Sequence, residues 1–132
     1  MKMEEHVEKL ILMADAKALA TYGEFGLNVV PVSTVKIVEG NIWLIDYFMG
    51  KTVENIQFDK SVSLVCWKDM FGFQIKGKSS YLRDGEQFEI AKNWIRNILP
   101  ERTVKGLILI EPIEVFDIGP GQNSKEIVAR TN

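Results

Sequence analysis

The residues best suited to chemistry in this 132-residue chain are Gly50-Lys51-Thr52-Val53-Glu54-Asn55, set where an apolar strand gives way to a helical period. The first turn of a helix exposes backbone N–H groups that attract an anion, a lysine adds a full positive charge, and a threonine hydroxyl can both cap and donate. Together they would cradle the phosphate of a mononucleotide. The same residues serve equally well as a capped helix start with a solvated lysine, and local spacing does not choose between the two. The segment is not a P-loop, because the upstream glycine at the required distance is absent.

A second segment, Asn28-Val29-Val30-Pro31-Val32-Ser33, can bind in another way. Pro31 has no N–H to give to a sheet ladder, so this stretch is partly released from pairing and can offer backbone groups to a ligand. A flat heteroaromatic ring could lie along it. Other chemistries are poorly supplied. His6 is the only histidine and reads as a surface residue, so neither a metal centre nor a base for Ser33, Ser63, Ser79 or Ser80 is expected, and no catalytic side chain is assigned. Trp43, Trp67 and Trp94 read as core or interface residues, with Trp67 best placed to reach a ligand. Glu86-Gln87-Phe88-Glu89 reads as an acidic first helical turn.

The elements that must position these residues follow from periodicity. Val7, Leu10, Ile11 and Ala14 recur at helical spacing, which predicts a helix from about Met3 to Ala14 covering one end of a barrel. Strands are expected at Ala18–Tyr22, Leu27–Val38 and Ile42–Tyr47, joined as a β-meander through Gly23-Glu24-Phe25-Gly26 and Glu39-Gly40-Asn41. A short helix follows with Val53, Ile56 and Gln57 together, then a strand over Val62–Trp67. Phe71, Phe73, Ile75, Gly77, Ser79 and Tyr81 alternate with polar residues, one face buried and one wet. Asp84 is expected to cap a helix whose buried stripe is Phe88, Ala91, Ile95, Ile98 and Leu99, stopped by Pro100. In the last strand, from Leu107, Pro112 requires an edge or a bulge. The tail from Gly119 to Asn132 is expected to hug a partner or fray. Six strands with helices at the corners make a mainly β, closed or half-closed barrel, a single domain over 1–132.

Composition agrees. A hydrophobic fraction of 46% with 26% charged residues is that of a globular domain. A net charge of −2 with scattered cations argues against nucleic acid and anionic membranes as partners. Residues 1–12 carry too many charges for a signal peptide or a membrane span. One cysteine, Cys66, cannot form an internal disulfide, so a reducing cytoplasm is expected.

Taken in order, Ala18-Leu-Ala-Thr-Tyr-Gly-Glu-Phe-Gly26, Asn28-Val-Val-Pro-Val-Ser33, Lys51-Thr52-Val-Glu-Asn55, Gly72-Phe-Gln-Ile-Lys-Gly77 and Asp84-Gly85-Glu-Gln-Phe-Glu89 resemble the pyridoxamine 5′-phosphate oxidase-like flavin-binding family, in particular its short FMN-binding members. The likeness runs from about Ala16 to Phe116. It implies a Greek-key split barrel that dimerises, with one FMN at each of two equivalent sites between subunits. By that likeness Val30, Pro31, Val32 and Ser33 face the isoalloxazine, Lys51 and Thr52 take the phosphate, and Asp46, Tyr47 and Phe48 lie beside the ring or ribityl chain. Asn55 would support the phosphate loop. The opposite subunit would contribute from the strand with Trp67 or from the Phe71–Gly77 region.

The sequence also departs from the family. The longer oxidases finish with a basic, histidine-bearing segment that grips substrate phosphate, whereas this sequence finishes Ala129-Arg130-Thr131-Asn132, which disfavours vitamin B6 oxidation. An aromatic residue that covers the flavin in some short relatives is missing from Val32-Ser33-Thr34. The leading expectation is therefore a non-covalent FMN protein of flavin reductase or flavoredoxin type, served by NAD(P)H or a protein redox partner. The alternatives are a binding module, whether flavin store, flavin sensor, or carrier of deazaflavin or haem, and a structural dimer with an empty relic site.

Overall fold

The computed structural model describes residues 2–120 and 127–130. Its elements are α1 (Glu5–Met13), β1 (Ala16–Gly23), β2 (Gly26–Pro31), β3 (Val35–Val38), β4 (Asn41–Asp46), α2 (Gly50–Phe58), β5 (Ser61–Lys68), β6 (Phe71–Leu82), α3 (Glu86–Ile98), β7 (Gly106–Asp117) and β8 (Ile127–Arg130). The strands form one antiparallel sheet in the order β2-β1-β5-β6-β7-β4-β3, with β8 added beside β7.

Among the described residues the sheet has eight strands rather than six, for two reasons. The expected strand Leu27–Val38 is two strands: Pro31 ends β2, residues 32–34 leave the sheet, and β3 pairs elsewhere. β2 pairs only with β1 and β3 only with β4, so the first strands form two separate hairpins and not a meander. The tail then supplies β8, which pairs with Glu114–Phe116 of β7 and does not fray there. The remainder of the tail expectation, residues 121–126 and 131–132, lies outside the described residues.

Two cores hold the sheet. In β4 the alternate faces divide: Ile42 and Leu44 join Leu19, Leu64, Ile75, Ile108 and Ile110 inside the barrel, while Trp43 and Ile45 face outward onto Phe88, Ala91 and Ile95 of α3. Both faces of β4 and β7 are thus covered, which is why their apolar residues run consecutively. Val7 and Ile11 of α1 plug the barrel core, each such side chain contributing roughly 1.5–3 kcal/mol by burial.

Several local expectations shift. α3 starts from Gly85, whose φ of 96° suits glycine, and Asp84 provides no side-chain cap. Ile98 is exposed at the end of its stripe, as is Phe71 at the start of β6, because neither end reaches the core. Of the three residues grouped on the short helix, α2 buries Ile56, leaves Val53 half-buried and Gln57 exposed, and adds Thr52 and Asn55 to its buried face. Pro112 is accommodated by a bulge opposite Lys76 and Gly77, where β6 and β7 change register.

Candidate functional site

The sheet stays open between β2 and β3, the two ends of its strand order, and there the segment Val30–Ser33 lies. A cleft of 200 Å³ runs between Val30–Ser33 on one wall and Ile45, Tyr47, Phe48 and Met49 on the other. Two hydrogen bonds shape it. The Val32 N–H donates to the Lys17 carbonyl at 3.0 Å, which holds the segment to β1 beyond the end of β2, and the hydroxyls of Thr34 and Tyr47 bond at 3.1 Å across the opening. Ser33 is exposed, and among the described residues its polar groups have no partner. Phe48 is 79% exposed at the rim. Six of the residues read from sequence, Val30, Pro31, Val32, Ser33, Tyr47 and Phe48, therefore line one cleft.

The adjoining wall leads into α2. The Met49 carbonyl accepts the Val53 N–H, so the N–H groups of Gly50, Lys51 and Thr52 have no partner four residues back. Lys51 is exposed on this turn and has no ion-pair partner among the described residues. Thr52 and Asn55 part company with it. Thr52 is 1% exposed and its hydroxyl accepts the Asn28 amide at 3.0 Å. Asn55 is 0% exposed and donates to the Thr21 hydroxyl at 3.1 Å. Their side chains point to the β1–β2 hairpin, away from the solvent face where Lys51 stands.

Asp46 is buried beneath the cleft and anchors the start of α2. Its Oδ1 accepts the Met49 N–H at 2.7 Å and its Oδ2 the Tyr81 hydroxyl at 2.5 Å. Burial first, then this bond and the charge of Asp46, push the Tyr81 phenol well above its ordinary pKa, while Arg83 pulls it back.

A groove of 810 Å³ opens beside the cleft, sharing Phe48 and Met49 with it and reaching Gly50, Tyr81, Arg83 and Lys105. The Lys105 ammonium stands 5.3 Å from the Phe48 ring centre, and the Arg102 guanidinium 5.2 Å from that of Tyr47. Neither Arg83 nor Lys105 is ion-paired among the described residues, and the groove sets these two cations beside the carboxylates of Asp46 and Glu54. Sequence reasoning missed Asn28 as a helix anchor, placed Tyr81 only as a strand residue, and did not single out Arg83 or Lys105. They arrive through β6–β7 and β4–β7 pairing, for which short-range spacing carries no signal.

Trp67 lies on the other side of the Val30–Ser33 segment. It borders a depression of 600 Å³ with Ala16–Ala18 and Val29–Ser33 on the outer face of the sheet. Leu27 and Val29 of β2, 83% and 66% exposed, stand on that same face.

Comparison with known proteins bears on this geometry. The family model described as pyridoxamine 5′-phosphate oxidase matches residues 3–119. The uncharacterized protein MJ0282 of Methanocaldococcus jannaschii is 29% identical over 118 residues, covering 85% of this chain and 78% of that protein. HupZ of Group A Streptococcus superposes with a TM-score of 0.80 at 19% identity, covering 92% of this chain and 98% of its own. An FMN-binding protein of Syntrophomonas wolfei gives 0.71 at 15% identity, with 89% and 91% covered. HutZ, a heme storage protein of Vibrio cholerae, gives 0.68 at 15% identity, with 88% and 94% covered.

Proposed function

The chain belongs to the pyridoxamine 5′-phosphate oxidase family, and we propose that within it this protein binds FMN without a covalent bond and uses it for electron transfer, in the manner of a flavin reductase or flavoredoxin. The observation that carries the proposal is the junction of two half-sites: an apolar cleft in the sheet gap ends at Met49, the residue before a helix whose first turn has N–H groups without a partner four residues back and an exposed, unpaired lysine. A flavin mononucleotide has the matching parts, a flat ring and a phosphate dianion.

The residues present fit that group. Val30, Pro31, Val32 and Tyr47 supply ring-sized apolar walls, and Ser33 supplies a free donor at the ring edge. Lys51 with the N–H groups of Gly50, Lys51 and Thr52 would hold the phosphate, Thr52 acting through its backbone because its hydroxyl is buried. When bound, FMN supplies the electron-transfer chemistry; the chain's own part is to orient the ring and set its electrostatic surroundings. Arg83 and Lys105 would be the groups to meet a phosphate of an electron donor such as NAD(P)H in the neighbouring groove.

We further propose a homodimer formed over the outer face of β2, β1 and β5, which would bring Trp67 of one copy toward the flavin of the other. A cytoplasmic location suits the single buried cysteine.

Titration of FMN against the protein, followed by quenching of flavin fluorescence, tests the proposal. Wild type is expected to saturate at one FMN per chain, and Lys51→Ala to weaken FMN by about tenfold, about 1.4 kcal/mol, with riboflavin little affected. Absence of FMN binding by wild type overturns it.

A second reading, a haem carrier, draws support from the fold shared with HutZ. Mass spectrometry and the absorbance spectrum of the ligand extracted from freshly purified protein separate the two, and steady-state oxidation of NADPH separates an enzyme from a store.

A further inference from the structure

The ring segment begins in the last residues of β2 and the phosphate-facing turn belongs to α2, yet no backbone ladder joins these two elements. Side chains do. Asn28, on β2 two residues before Val30, donates to the Thr52 hydroxyl at 3.0 Å. One helical turn on, Asn55 donates to the Thr21 hydroxyl of β1 at 3.1 Å and to the Gly26 carbonyl at 3.5 Å. Thr21, Thr52 and Asn55 are all buried, and the hairpin comes so close that a Cβ on Gly23 would stand 2.9 Å from the Asn55 Cα and collide with its amide oxygen.

This polar seam is an expensive way to attach a helix. Desolvating amides and hydroxyls costs more than burying aliphatic side chains of the same size, and the Asn55 Oδ1 is buried without a partner among the described residues. What directional bonds add, and apolar contact does not, is a fixed rotation of the helix about its axis. Two bonds from successive turns of α2 to one hairpin fix where the N–H groups of Gly50, Lys51 and Thr52 aim relative to Val30–Ser33.

We propose that Asn28 and Asn55 are positioning residues that lock the phosphate helix to the ring strand, so that a nucleotide's phosphate and ring are recognised as one unit; the inference rests on the FMN reading above. Neither side chain would touch the ligand. Their contribution would appear only in ligands that carry the phosphate.

The test compares FMN with riboflavin by fluorescence quenching in wild type, Asn28→Ala, Thr52→Val, the double variant and Asn55→Leu. Asn28 is only partly buried whereas Asn55 is fully so, and Asn28→Ala and Thr52→Val keep the test decisive where Asn55→Leu fails to fold. Asn28→Ala is expected to leave riboflavin affinity within about twofold of wild type while FMN affinity falls by about tenfold. Thr52→Val should reproduce this, the double variant should lose no more than either single one, and Lys51→Ala should cost little further in the Asn28→Ala background. A merely structural seam lowers both affinities in parallel, or neither, and either result overturns the proposal. Wild type that fails to bind FMN refutes instead the function on which it rests.

Discussion

Tyr81 and Asp46 are bonded across 35 residues of sequence, the phenol donating to Oδ2 of a nearly buried carboxylate whose other oxygen receives the Met49 N–H. The bond ties β6 to the residue from which α2 departs. Tyr81→Phe removes the donor and leaves one carboxylate oxygen without a partner, at a cost of roughly 1.5–3 kcal/mol. Urea unfolding should therefore show a lower midpoint with an unchanged slope. FMN affinity should fall a few-fold as the start of α2 loosens. A midpoint equal to that of wild type would show that the bond contributes nothing.

The same pair sets a pH dependence. Burial and Asp46 raise the Tyr81 pKa in the fold, so the phenol keeps its proton there at a pH where a free tyrosine has lost it. The stabilisation is then fully present below the unfolded value of about 10 and is lost as pH rises through the higher folded value. From about pH 10 upward, wild type should lose stability more steeply than Tyr81→Phe, measured by urea midpoints at each pH. Parallel curves would contradict the assignment.

What could be read without coordinates depended on range. The β6 alternation, the α3 stripe and the bulge at Pro112 are local patterns of apolar residues and proline, and they hold apart from their ends. The cleft beside Val30–Ser33 was partly legible because Pro31 advertises a break in pairing. That the strand containing it divides, sending β2 and β3 to opposite edges of the sheet, depends on partners far along the chain. Thr52 and Asn55 look like ligand-facing polar residues by spacing, and the hairpin that buries them turns α2 onto a face that its own apolar residues would not select.

Cys66 sits in β5 with no exposed surface, and burial pushes its thiol up to about 12 against a small opposing pull from Lys17. The reactive thiolate is then scarce and shielded in the fold. A disulfide reagent such as 5,5′-dithiobis(2-nitrobenzoic acid) should leave the native protein unmodified at about pH 8 and label one thiol per chain once urea has unfolded it. Rapid labelling of the native protein would show that the strand opens or that the thiol is accessible.

The outer face of β2 carries the last prediction. Leu27 and Val29 stand in solvent on a free sheet edge beside the depression that Trp67 borders. Exposed apolar residues on an edge strand invite pairing with another chain, and a cover by a second copy would remove that hazard. Wild type is then expected to elute near twice its chain mass of 15.0 kDa. Val29→Glu points outward and leaves the core alone, so it should keep the far-ultraviolet circular dichroism of wild type while eluting as a monomer. If Trp67 reaches the flavin of the other copy, FMN affinity should fall by about tenfold in the same variant. A monomeric wild type would remove the dimer from the functional reading, whereas a monomeric variant that binds FMN as tightly as wild type would show each cleft to be complete within one chain.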